Sequence, residues 1–83
     1  MTIEEIKTKN WNDIDVEKLN DISQQNLLKL LDSIKEVNLG KYVKVRNMVT
    51  SKYGCDYWDA FICRGLIMDD RTRKIVLYLI DTV

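Results

Sequence analysis

Between Gln24 and Val37 the chain carries Leu27, Leu28, Leu30, Leu31, Ile34 and Val37 at i, i+3, i+4 and i+7. That spacing predicts an amphipathic helix whose broad apolar stripe must be buried against a second layer of structure. Ser23 precedes it as an N-cap. Ile22 and Leu27 have hydrophobic-staple spacing. Gln24, Gln25, Lys29, Asp32, Lys35 and Glu36 fall on the opposite, watered face. Gly40 supplies a stop of the kind a helix C-terminus uses. The stripe is shorter than the ~3 heptads a coiled coil needs, so it is assigned to packing within this chain.

Upstream, Thr2-Ile3-Glu4-Glu5 matches a capping box and predicts a short helix from Ile3 to Lys9. So short a helix is marginal alone and must lean on the core through Ile3, Ile6 and Trp11. Asn10-Trp11-Asn12-Asp13 is turn-like, and Asp15 starts a further short turn carrying Val16 and Leu19.

Downstream the pattern changes. In Lys41–Thr50, Val43, Val45 and Val49 alternate with Tyr42, Lys44, Arg46 and Met48. Tyr57–Met68 is a long run rich in aromatic and β-branched residues, and Lys74–Val83 is nearly continuous in apolar residues. Ser51–Asp56, pivoting on Gly54, and Asp69–Arg73 read as turns. Connections this short predict an antiparallel meander. The expected fold class is therefore α+β in one domain, 1–83. Its helical segment, 1–40, packs its main helix (24–37) across a three-stranded antiparallel sheet in 41–83. Centring the hairpins at Tyr53/Gly54 and Arg71/Thr72 pairs Val45 with Ile62 and Leu66 with Leu77. One face then holds Val43, Val45, Val49, Trp58, Ala60, Ile62, Leu66, Met68, Ile75, Leu77, Leu79 and Val83, and receives the helix. Trp58 is the expected core anchor.

The other face would hold Tyr42, Lys44, Arg46, Met48, Tyr57, Asp59, Phe61, Cys63, Gly65, Ile67, Lys74, Val76, Tyr78 and Ile80. It is too apolar for open water, and a contiguous patch of that kind marks an interaction site. Aromatic residues, Met and Arg are the types enriched at protein interfaces. The 13 basic and 13 acidic side chains cancel overall. The halves do not: residues 1–38 hold eight acids and five bases, and 39–83 hold eight bases and five acids. The predicted binding surface is Tyr42, Lys44, Arg46, Tyr57, Phe61 and Tyr78, with Lys52 and Tyr53 at the loop tip. Its rings would be buried anchors, and its bases would orient an acidic partner.

The function expected from this is binding of another protein by a small non-catalytic inhibitor, adaptor or regulator acting as a homodimer. The alternative is single-stranded RNA or DNA stacked on the same rings. Zero net charge weighs against nucleic acid. A third possibility is that residues 10–22 or the first helix cover the face.

Catalysis has little support. The chain lacks histidine, the commonest general base and metal ligand. Asp13/Asp15 and Asp69/Asp70 sit where turns use Asp for backbone hydrogen bonds. Cys55 and Cys63 are eight apart, roughly 26 Å along a strand at ~3.3 Å per residue. A disulfide needs about 7 Å or less between Cα atoms. No spacing suits a metal, and no cofactor is implied. Free thiols, no apolar run of ~18 residues and no leader-like pattern in 1–9 give the expectation of a cytoplasmic protein without a membrane partner.

Overall fold

The computed structural model describes residues 2–83; Met1, the first residue of the stretch read for a leader, lies outside them. It contains α1 (Ile3–Thr8), a 3-10 turn (Trp11–Asp13), α2 (Gln24–Val37), α3 (Leu39–Tyr53), α4 (Cys55–Cys63) and α5 (Asp70–Thr82). Among the described residues there is no strand. The expected α+β fold, its meander, its hairpins and its two-faced sheet are therefore overturned: residues 41–83 are three helices with a short loop.

The first half folds as its caps dictate. The Thr2 hydroxyl accepts from the Glu5 N–H, and the Ser23 hydroxyl accepts from the Asn26 N–H. α2 buries Leu27, Leu31 and Ile34, the inner line of the leucine stripe. It ends at Asn38, not at Gly40. The Asn38 N–H donates to the Ile34 carbonyl at 2.7 Å, while its side-chain oxygen accepts from the Lys41 N–H at 3.1 Å. One residue thus closes α2 and opens α3.

The second half is helical because the same apolar residues also satisfy a 3.6-residue repeat. Tyr42, Val45 and Val49 line the inner face of α3. Trp58 and Phe61 do so on α4, and Thr72, Ile75, Val76, Leu79 and Ile80 on α5. Burying those lines in one shared core outweighs the modest strand preference of Val and Ile, since β-propensity is largely a matter of context. The expected turns act as helix boundaries. Gly54, at φ +92° and ψ 162°, is the sole residue between α3 and α4, a conformation open to almost nothing but glycine. Asp69 is the N-cap of α5, accepting from the Thr72 N–H at 3.0 Å.

α3 packs against α2, α4 and α5, and α5 also carries α1 and the 3-10 turn. The core runs through all of them, from Ile6, Trp11 and Ile14 to Leu79 and Ile80. Long polar side chains fasten the irregular 9–22 region. The Trp11 indole N–H donates to the Ile6 carbonyl at 2.9 Å. Arg71 donates to the Ile14 carbonyl, and Arg73 Nε donates to the Ile22 carbonyl at 2.9 Å. Lys52 Nζ closes the end of α1 by donating to the Lys7 and Lys9 carbonyls at 2.8 and 3.0 Å. Among the described residues, no helix is long and apolar enough to cross a membrane.

Candidate docking surface

Without a sheet, the residues expected on one binding face disperse. Phe61 is fully buried, and Tyr42 is buried with its ring edge-on to Trp58 and beneath the Lys35 ammonium. Trp58 is buried beside them, its centroid 5.9 Å from that of Phe61. The expected division, with Trp58 inward and Phe61 outward, is replaced by a helical face that turns both inward, because i and i+3 share a side of a helix. Tyr78 is half-buried on α5. Lys44 and Arg46 remain exposed on α3.

One part of the expected set does come together. Tyr53 and Tyr57 stack with centroids 4.6 Å apart, and Trp11 meets Tyr53 edge-on at 5.5 Å. The Tyr53 hydroxyl is hydrogen-bonded to the Thr72 hydroxyl at 3.2 Å. Lys52, next to Tyr53, is committed to the α1 carbonyls. This cluster locks α3, α4 and α5 to the N-terminal turn. Burial, with lesser contributions from Tyr53 and Asp69, pushes the Tyr57 hydroxyl up to about 12 from its ordinary 10.0, although the Thr72 hydroxyl pulls the other way. Cys55 and Cys63 are exposed free thiols at the two ends of α4, about 12 Å apart along its axis.

The most accessible apolar residues lie elsewhere. Leu66 is 36% and Ile67 75% exposed in the α4–α5 loop, and Val37 and Leu39 flank the Asn38 corner. The loop is held tightly in place. Gly65, at φ +73°, turns the chain so that the Leu66 N–H donates back to the Ala60 carbonyl at 3.0 Å. The Gln24 amide then clamps both sides of Ile67: its nitrogen donates to the Leu66 carbonyl and its oxygen accepts from the Met68 N–H, each at 2.7 Å. Arg73 Nη1 donates to the Met68 carbonyl at 2.7 Å, and Met68 itself is fully buried. Ile67 is therefore presented outward from a backbone fixed on either side. The sequence reading placed Leu66 and Ile67 in a strand. The signals available for a loop were Gly65 and the Asp69 cap, just after and just before helical apolar patterns.

No family model, no curated protein and no solved structure matches the chain.

Proposed function

We propose that this protein is a non-catalytic binding module that docks on another protein, or on a second copy of itself, through the loop 64–69. The observation that carries the reading is the Gln24 clamp beneath an Ile67 side chain left three-quarters exposed. An apolar side chain on a pre-fixed backbone loses little further freedom on binding, which is how small interfaces gain affinity. Arg64, exposed beside it, adds a polar rim to an aliphatic anchor. The most deeply engaged polar side chains, Gln24, Lys52, Arg71 and Arg73, bond mainly to backbone, consistent with a scaffold role. Reading the same chain as a binder of single-stranded nucleic acid loses its stacking platform. Phe61 and Tyr42 are in the core, and Tyr53 and Tyr57 cover each other.

The test compares pull-downs from the source cell with wild type and Ile67→Asp, both checked for unchanged helical circular dichroism. Proteins recovered by wild type and lost with Ile67→Asp are the expected result; identical recoveries remove the loop as the contact. Light scattering settles the self-association form. A dimer should have twice the 9.8 kDa chain mass and revert to monomer with Ile67→Asp.

A further inference from the structure

A second feature, separate from the loop, is a cleft of about 420 Å³ between α1, α3 and the end of α5, lined by Ile3, Lys7, Lys44, Asn47, Met48 and Val83. Its chemistry follows from helix spacing. Ile3 and Lys7 stand at i, i+4 on α1, and Lys44 and Met48 at i, i+4 on α3, so each helix lines the same groove with one apolar residue and one exposed lysine. Asn47 adds an amide, and Val83 lines the cleft with its side chain and its α-carboxylate close by on the same residue. The ion pairs of the described residues join Lys9 to Glu5 and Arg73 to Asp21 and Asp70; neither Lys7 nor Lys44 has a carboxylate within 4.0 Å.

Other clefts differ in this respect. The one between α2, α3 and α4, about 310 Å³, sets Asp32 beside Lys29 and Lys35. The groove along 5–19 holds Glu5, Asp13 and Asp15 with Lys9 and Lys18. The cleft at Tyr78 holds Asp81 together with Lys18. The cleft beside Trp11 has Lys52, whose ammonium is already used on two carbonyls.

From this juxtaposition we propose that the α1/α3 cleft binds a monocarboxylate with an aliphatic tail, a medium-chain fatty acid by chemical class. The tail would lie on Ile3, Met48 and Val83, and the carboxylate would sit between the Lys7 and Lys44 ammonium groups. Lysine suits this arrangement because its methylene stem joins the apolar wall while its head stays in water. A partly open site of this size favours a weak and exchangeable ligand.

The probe is sodium octanoate, titrated into the full chain below its micellar concentration and followed by amide and methyl chemical shifts. Saturable shifts confined to Ile3, Lys7, Lys44, Asn47, Met48 and Val83 are expected. Octanol should bind about tenfold more weakly, because it keeps the tail and loses the charge. Acetate, which keeps the charge and loses the tail, should give no saturation. Lys7→Ala and Lys44→Ala, both at exposed positions, should each weaken octanoate by about two- to fivefold with unchanged helicity. Octanol binding as tightly as octanoate, shifts scattered over the surface, or affinities indifferent to both lysines would overturn the proposal. So would saturation by an acidic peptide at this cleft when octanoate shows none. None of these outcomes depends on Ile67, so the protein-docking reading stands or falls separately.

Discussion

Tyr57 shows how one half-buried hydroxyl ties stability to alkaline pH. Its folded pKa is raised to about 12 from 10.0, chiefly by burial, so the fold favours the neutral phenol. The stability this contributes is complete below pH 10. It is lost progressively as pH rises from about 10 through about 12, because the unfolded chain ionises first and draws the equilibrium towards itself. Ring-carbon NMR should place the Tyr57 transition near 12, and Tyr57→Phe should flatten the fall in unfolding free energy across that window. Phe61 makes the complementary case in the core. It is fully buried, so Phe61→Ala should cost about 3–5 kcal/mol in urea unfolding. Trp58→Ala belongs in the same range, since Trp58 is only 4% exposed. A charged residue at 61, reasonable for a ring on an open face, would instead be buried without a partner and should unfold the chain.

Among the elements, a one-residue joint and a side-chain clamp carry the sharpest constraints. Gly54 has no atoms within 4 Å of where a Cβ would stand, so space is not the obstacle to substitution; its backbone is. Gly54→Ala should therefore destabilise by about 1–3 kcal/mol through strain alone, measured by thermal unfolding. Gln24 is the clamp. Gln24→Ala removes two hydrogen bonds and leaves the Met68 N–H without its acceptor, for an expected loss of about 1–3 kcal/mol. Hydrogen exchange should show the Met68 amide losing protection first. Gln24→Glu is the informative partner, since a carboxylate can still accept from Met68 but can no longer donate to the Leu66 carbonyl.

These elements also show where sequence reasoning held. α2 was legible because its leucine stripe, Ser23 cap and polar face agree on one period. α1 was legible for the same reason in miniature, through Thr2 and Glu5. α3, α4 and α5 were not. Val43, Val45 and Val49 fit an alternation of two, while Tyr42, Val45 and Val49 fit a helical face, and a short segment does not separate them. The apolar run of α5 hides the difference further, because nearly every position in Ile75–Ile80 is hydrophobic and any period matches it. The 64–69 loop inherited that error: once 57–68 reads as a strand, Ile67 becomes one more sheet residue.

At the scale of the whole molecule, the five short helices of the described residues enclose one core within 29 × 24 × 22 Å. A domain this small buries a modest fraction of its surface, so polar fastenings weigh more than they would in a larger one. The region before α2 depends on them. Arg71 and Arg73 reach from α5 to the Ile14 and Ile22 carbonyls, and Arg73 is also paired with Asp21 and Asp70. Arg71→Ala with Arg73→Ala should release residues 14–22 before the helices open, seen as lost exchange protection there at denaturant concentrations that leave α2 intact. Each charged donor so removed is expected to cost about 1.5–3 kcal/mol.

Sequence alone determined the Thr2 and Ser23 caps and the leucine-lined α2, because each rests on neighbours within one or two turns, and it determined the balance of charge, which is a sum over residues. Only tertiary structure decided that the valine- and isoleucine-rich half is helical, that Tyr42 and Phe61 turn inward and that Ile67 turns outward. Those choices depend on which face finds an apolar partner, and that partner lies far along the chain.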